Sequence, residues 1–222
     1  MAETQINLTR KKLTTPRAAA VAGILFALLY GGSLVLIRLS IPAEQAADSG
    51  WLETNARTVH RALNMIPYAG IAFLWFIGVI RDRLGDLEDR FFATVFLGSG
   101  LLFLALTFVG AALAGGMLSS YAIEKNLMIE SGLYTYNRAV MYNVLNIYAI
   151  RMAGVFMFSL GTIWLRTGLM HRAWAFVTYA LALTLLLSIS YSLWVTIVFP
   201  GWVLAVSVAF LTLNLRNPSR GD

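Results

Sequence analysis

The sequence predicts an all-α fold, a polytopic membrane helix bundle with six transmembrane helices and both termini in the cytoplasm. Of its 222 residues, 59% are hydrophobic and only 13% are charged, whereas a soluble domain averages about 25% charged residues. The apolar residues also gather into blocks as long as the roughly 20 residues that a helix needs to cross a bilayer. Basic residues concentrate between alternate blocks, which gives the bundle an orientation.

Six apolar segments are predicted to span the membrane. The first carries no charge and is longer than the apolar region of a signal peptide. The second contains Pro67, near its outer end, where a membrane helix tolerates a kink. The spans are predicted at 18–37, 62–80, 91–119, 147–165, 173–198 and 201–215, between a basic segment, 1–17, and a short tail, 216–222.

The boundary between the last two spans is predicted at the sequence FPGW, 199–202, because Pro and Gly together interrupt a chain strongly. The alternative is a turn near Ser188–Ser192. With the turn at FPGW, we expect Trp194, Phe199 and Trp202 to form an aromatic belt at the membrane surface.

The positive-inside rule places both termini in the cytoplasm. Eleven basic residues fall on the side of the termini and six on the opposite side or its rim. The eleven are Arg10, Lys11, Lys12, Arg17, Arg81, Arg83, Arg90, Arg166, Arg172, Arg216 and Arg220, and the six are Arg38, Arg57, Arg61, Lys125, Arg138 and Arg151. We expect the protein in the plasma (inner) membrane.

Two outer segments, 39–61 and 120–146, are too long to be simple turns. The sequence WLETNARTVHR in the first of them predicts a short helix at the membrane face, with Trp51 and Leu52 in contact with lipid.

Small residues recur at a spacing of four in several spans. The first span has Ala19, Gly23, Ala27 and Gly31, and the third has pairs such as Gly110–Ala114. Such residues allow helix backbones to approach closely. They favour packing within the chain, with a homo-oligomer seam as the alternative.

Arg151 is a permanent charge about four residues inside the fourth span, roughly 6 Å below its outer rim at ~1.5 Å per residue. Its side chain either snorkels to the outer surface, pairs with a carboxylate or helix carbonyls inside the bundle, or binds an anionic ligand.

Polar and aromatic residues near Arg151 define a candidate outer polar site. Arg151 shares a helix face with Asn143, and Tyr148 lies one turn away. On the second span, His60, Asn64 and Tyr68 are spaced by four residues and are expected to share a face. Either these residues form a vestibule that opens outward, or they form an interfacial girdle. The candidate residues are Arg151, Tyr148, Asn146, Asn143, Arg138, His60, Asn64 and Tyr68.

The sequence RDRLGDLEDR, 81–90, is predicted to form a tight cytoplasmic hairpin, with a turn at Gly85-Asp86. Its acidic residues face the positive N-terminal end of the third helix. A docking surface for a cytoplasmic partner is the alternative. The charged residues are Arg81, Asp82, Arg83, Asp86, Glu88, Asp89 and Arg90.

The residue inventory limits the chemistry. The chain has no cysteine, its two histidines fall on opposite sides of the membrane, and no predicted span contains a carboxylate. These observations speak against thiol chemistry, a paired-histidine metal or haem site, and cation-coupled transport. No catalytic motif suggests an enzyme, no cofactor is predicted, and scattered basic residues give no support for nucleic-acid binding.

Two functions remain from the sequence. The first is an accessory or scaffolding membrane subunit that acts through helix and lipid contacts, with a membrane protein partner. The alternative is a small, oligomeric channel or transporter with a preference for anions or anionic headgroups. Membrane lipids are partners in either case.

Overall fold

The computed structural model describes residues 16–42, 49–84, 90–168, 170–187 and 193–216. These residues form nine α-helices, together with a π-helical segment at Val144–Ala149 and a 3₁₀ segment at Leu193–Ile197. The helices are α1 (Pro16–Ser40), α2 (Trp51–Thr54), α3 (Ala56–Leu84), α4 (Arg90–Ile123), α5 (Lys125–Glu130), α6 (Leu133–Asn143), α7 (Ile150–Thr167), α8 (Arg172–Leu187) and α9 (Val198–Arg216).

The predicted membrane helix bundle is confirmed. Five helical stretches are long and apolar enough to cross a membrane, and these are Ala20–Ser40, Ala56–Asp82, Phe91–Ile123, Leu133–Thr167 and Trp194–Thr212. The fifth predicted span, 173–198, begins as α8, an apolar helix of 16 residues that ends at Leu187, and the sixth, 201–215, lies within α9. At ~1.5 Å per residue, α8 covers about 24 Å, which is shorter than the hydrocarbon core.

The turn predicted at FPGW is absent, because α9 begins at Val198 and continues through Pro200 and Gly201. Pro200 is the third residue of this helix. A backbone N–H in the first turn has no partner within the helix, so a proline there removes no hydrogen bond. The alternative turn position, Ser188–Ser192, lies outside the described residues.

The centre of the bundle is a cluster of aromatic rings, which we call the aromatic core. Neighbouring ring centroids are 4.7 Å apart for Phe26 and Phe73 and again for Phe103 and Phe199, and 5.8 Å apart for Phe156 and Phe199. These five side chains come from α1, α3, α4, α7 and α9, and each is at most 2% exposed. The aromatic core therefore joins α1, α3, α4, α7 and α9, whereas α8 contacts α7 through a separate ring pair, Tyr179 and Phe158, with centroids 4.7 Å apart.

The expected aromatic belt is wrong for two of its three residues. Phe199 is fully buried and Trp202 is 3% exposed, whereas Trp194 is 51% exposed. Phe199 and Trp202 are three residues apart in α9, so they share its inward face. The indole N–H of Trp202 donates to the Thr178 hydroxyl at 2.9 Å, which ties α9 to α8.

Small residues pack helices together within the chain. A Cβ at Gly23 of α1 would lie 1.9 Å from Oγ of Ser207 in α9, and a Cβ at Gly110 of α4 would lie 2.4 Å from Leu145. The Ser33 hydroxyl also donates to the Ala62 carbonyl at 2.8 Å, between α1 and α3. Some of the small residues spaced by four in α1 and α4 are therefore in contact with other helices inside the bundle.

The end of the bundle at which α1 ends and α3 begins is the one that the charge count assigns to the outside, and we call it the outer end. The short helices α2, α5 and α6 form an outer cap there. Its apolar cluster contains Trp51, Leu52, Val59, Met117, Met128 and Tyr134. Trp51 and Leu52 are only 4% and 3% exposed, so the expected lipid contact of these two residues is wrong.

Candidate functional site: an arginine-lined cavity

A cavity of about 70 Å³ lies between the outer cap and the aromatic core. Since one water needs about 10–15 Å³ on this measure, the cavity has room for roughly five waters. Residues from α1, α3, α4, α6 and the π-helical segment line it. They include Tyr30, Leu34, Arg38, Leu63, Ile66, Thr107, Ala111, Ala114, Arg138, Met141, Tyr142, Leu145 and Asn146.

Arg38 is the cationic residue of this cavity with an open donor. It lies in the last turn of α1, and one guanidinium nitrogen donates to Oδ1 of Asn146 at 2.7 Å. Its Nε is buried and has no acceptor among the described residues. No carboxylate pairs with Arg38 in the part of the chain that the structure describes.

Hydrogen bonds hold the Arg138 side chain in the outer cap. This side chain in α6 is 4% exposed and donates to the Tyr134 hydroxyl at 2.6 Å and to the Pro42 carbonyl at 2.7 Å. The Tyr134 hydroxyl also accepts a hydrogen bond from the Trp51 indole at 2.9 Å. Arg138 thus links the chain after α1 to α6 and to α2, and fastens the cap over the cavity.

The π-helical segment helps to direct side chains into the cavity. A π-helix pairs each residue with the fifth residue along instead of the fourth, which changes the faces that follow it. Leu145 and Asn146 line the cavity, whereas Tyr148, two residues further on, is 58% exposed. Asn146 is oriented by its own amide, which donates to the Tyr142 carbonyl at 3.0 Å.

The aromatic core forms the floor of the cavity. Tyr30, which lines the cavity, has its ring centroid 5.3 Å from that of Phe26 and 5.6 Å from that of Phe103. Beyond these rings, Phe73, Phe156 and Phe199 fill the interior. The cavity is therefore a site under the cap, closed toward the other end of the bundle by packed rings.

The structure brings together two of the sequence-predicted site residues, Arg138 and Asn146. The other six do not line the cavity: His60, Asn64, Tyr68, Asn143 and Tyr148 are exposed, and Arg151 is half-buried. The second and fourth predicted spans do meet, through the rings of Phe73 and Phe156 at 5.3 Å. This contact lies in the aromatic core, so the polar residues of the two spans are not joined there.

Arg151 bonds within its own helix. Its guanidinium donates to the Ile147 carbonyl at 3.1 Å, one turn toward the outer end. No carboxylate of the described residues pairs with it. The Arg151 side chain points toward the outer end, as a snorkelling side chain does, and its acceptor is a carbonyl of the π-helical segment.

Sequence reasoning missed Arg38, Tyr30 and Thr107 as site residues. Arg38 carries the same signal as Arg151, a guanidinium at the outer end of an apolar span. What distinguishes the two is the helix face, because Arg38 points to other helices and Arg151 bonds to its own.

The described residues of the predicted cytoplasmic hairpin lie at the end of the bundle opposite the outer cap. Arg81 and Asp82 are exposed at the end of α3, Arg83 lies in the same helix, and Arg90 begins α4. The residues Asp86, Glu88 and Asp89 and the predicted turn at Gly85-Asp86 lie outside the described residues.

Within the described residues, no group of three or more His, Asp or Glu side chains could hold a metal ion. The chain was compared with family models, with curated proteins and with solved structures, and none of the three comparisons found a match.

Proposed function

We propose that this chain is an integral protein of the plasma (inner) membrane that binds an anionic group in the arginine-lined cavity and does not conduct it through the bundle. The observation that carries the proposal is Arg38, a cavity-lining guanidinium that donates to a neutral amide and pairs with no carboxylate of the described residues. An unpaired charge inside a membrane protein is costly, and such residues usually mark a functional site.

An anion in the cavity would compensate this charge. Asn146 supplies only the oxygen of a neutral amide to Arg38, at 2.7 Å. A negatively charged acceptor would take a further N–H of this guanidinium and form a charge-assisted hydrogen bond, which is roughly twice as strong as a neutral one. The cavity that Arg38 lines has a volume of about 70 Å³.

The aromatic core argues against the channel alternative. A pore needs a polar or water-filled path, and the rings of Phe26, Phe73, Phe103, Phe156 and Phe199 fill the interior below the cavity. Binding in a cavity that ends at these rings therefore fits this bundle better than conduction.

Thermal unfolding of the purified protein tests the proposal. A ligand that binds only the folded state raises the unfolding midpoint, so we expect at least one anion from chloride, phosphate and simple carboxylates to raise it. The increase should disappear in Arg38→Gln and persist in Arg61→Gln, a control on the exposed surface of α3 at the same end. An equal increase in all three proteins would contradict the proposal.

The second candidate function is an accessory subunit that holds a transmembrane helix of a partner protein. A groove of about 820 Å³ opens between α8 and α9, and Gly201, Ala205 and Ala209 line it at a spacing of four. A Cβ at Gly201 would meet no atom within 4 Å. Small residues of this kind allow a second helix to approach closely.

Native mass spectrometry of gently extracted protein tests this second function. A stoichiometric foreign subunit, lost in Ala205→Leu and retained in Ala112→Leu on the exposed face of α4, would support it. Extraction of the chain alone or as a homo-oligomer would contradict it.

A further inference from the structure

The walls of the cavity are mostly apolar, although its charged donor is an arginine. Leu34 of α1, Leu63 and Ile66 of α3, Ala114 of α4 and Leu145 of the π-helical segment all line it. Apolar walls with a few placed polar groups are typical of sites for small organic ligands. A fully hydrophilic ion would have to lose its water against these walls without replacing it.

Few donors remain for a ligand once the existing hydrogen bonds are counted. Two nitrogens of Arg138 donate to Tyr134 and Pro42, the Thr107 hydroxyl donates to the Phe103 carbonyl at 2.8 Å, and one nitrogen of Arg38 donates to Asn146. A guanidinium has five N–H groups, so Arg38 keeps donors beyond the one given to Asn146. No carboxylate of the described residues neutralises it, and its single positive charge suits a ligand with a single negative charge.

From these observations we infer that the cavity binds a short-chain aliphatic monocarboxylate, an inference that rests on the anion-binding function proposed above. The carboxylate pairs with the guanidinium of Arg38, and the alkyl chain lies against Leu34, Leu63 and Leu145. The carboxylate offsets the guanidinium charge, and the chain fills apolar volume that water occupies poorly.

The size of the cavity limits the length of the chain. A volume for about five waters accommodates a carboxylate group and a few carbons. A long acyl chain would need an opening through the aromatic core or the outer cap, and phosphate would present further oxygens to walls of Leu and Ile. A ligand the size of butyrate therefore fits both the charge and the walls.

Calorimetric titration of the full-length protein in nanodiscs tests the inference with acetate, butyrate, octanoate, inorganic phosphate, n-butylamine and 1-butanol. We expect butyrate to bind most tightly. Its Kd should rise about tenfold or more in Arg38→Gln, because a charge-assisted hydrogen bond is lost, and should not change in Arg61→Gln.

A second pair of variants tests the apolar part of the cavity independently of Arg38. Ala111 lines the cavity on α4, and its neighbour Ala112 is exposed about 100° further round the same helix. We expect Ala111→Leu to weaken butyrate more than acetate, because the added carbons occupy the space of the alkyl chain. Ala112→Leu is the matched control and should bind both ligands as the wild type does.

The possible results separate the ligand class from the proposed function. If phosphate alone binds and its binding depends on Arg38, the inference of a monocarboxylate ligand is overturned but anion binding is not. If octanoate binds more tightly than butyrate, the inference of a short chain is overturned and anion binding again stands. Binding of butanol or butylamine as tight as that of butyrate, unchanged in Arg38→Gln, would overturn both. Absence of binding for every anion would also overturn both.

Discussion

Two arginines near the outer end of apolar helices have different roles in this bundle, and only their contacts tell them apart. Arg38 points across the bundle to Asn146, more than a hundred positions away in the sequence. Arg151 donates to the Ile147 carbonyl of the preceding turn. A charge in a membrane helix can climb toward the surface along its own helix or meet another helix, and the outcome depends on the face that it occupies.

The local contact of Arg151 leads to a first prediction. Arg151→Leu should leave the yield of folded protein intact and change the free energy of unfolding by at most about 1 kcal/mol, because it removes a single partly exposed hydrogen bond. Anion binding should be unchanged, since Arg151 does not line the cavity. Size-exclusion chromatography and the thermal assay measure both properties. Loss of folded protein would instead identify Arg151 as an internal tie that the bundle needs.

The contact between Gly23 and Ser207 leads to a second prediction. Gly23→Ala should destabilise the protein by about 1–3 kcal/mol, as overpacking of a tight contact usually does. The added Cβ would lie 1.9 Å from Oγ of Ser207 and 2.8 Å from Phe76, which are fully buried and have little room to move. Unfolding in a denaturing detergent measures the change.

Gly78→Ala is the control for this experiment, because a Cβ at Gly78 meets nothing within 4 Å. The hydroxyl of Ser207 is also buried and has no hydrogen-bond partner in the described part of the chain. Adding Ser207→Gly to Gly23→Ala removes the nearest atom and should restore part of the stability. Equal stability of Gly23→Ala and Gly78→Ala would show that α1 and α9 are further apart than described.

At the scale of elements, an ion pair ties two short helices of the outer cap to each other. The Lys125 ammonium of α5 and the Tyr121 hydroxyl both donate to the Glu53 carboxylate of α2. Lys125, followed by Tyr121, lowers the pKa of Glu53, and the bond to Glu53 raises the pKa of Lys125. Both groups are exposed, so the tie contributes little to global stability.

The directions of these pKa shifts define a pH window for the tie. A carboxyl with a lowered folded-state pKa stabilises the folded form above its ordinary value, about 4.5, and loses this contribution as the pH falls below that value. An ammonium with a raised pKa stabilises it below about 10.5 and loses this contribution as the pH rises further. The contact between α2 and α5 is thus fully present between these limits.

Hydrogen exchange of the α5 amides measures this contact, and it gives a third prediction. We expect exchange to speed up as the pH falls below about 4.5, beyond the change that pH alone causes. Glu53→Gln should remove this additional pH dependence, and Glu130→Gln, an exposed acid of α5 itself, should keep it. The same pH dependence in Glu53→Gln and the wild type would contradict the assignment.

The elements also show where sequence patterns were sufficient. Runs of apolar residues predicted the spanning helices, because the length of such a run is set by the bilayer. The position of Pro200 was misinterpreted, since a proline can end one helix or begin the next, and the sequence FPGW is compatible with both. The π-helical segment had no signal that distinguishes it from an ordinary α-helix.

At the scale of the whole molecule, the orientation in the membrane is a fourth prediction. The chain has no cysteine, so single cysteines can be labelled without background. Thr54→Cys, exposed in the outer cap, should react with an impermeant maleimide in intact cells. His171→Cys, exposed at the start of α8, should react only after the membrane is opened. The reverse pattern would overturn the orientation derived from the charge count.

By itself, the sequence determined that this is a helical membrane protein and located the first four of its apolar spans, since these properties follow from the amount and spacing of apolar residues along the chain. Only the tertiary structure decided that Phe199 and Trp202 belong to the core, that Trp51 lies inside a cap, and that Arg38 meets Asn146 beside a cavity. The reason is physical: hydrophobicity selects a helix for the membrane. Which face of that helix turns toward the interior of the bundle depends on close contacts between residues far apart in the sequence, such as Gly23 and Ser207.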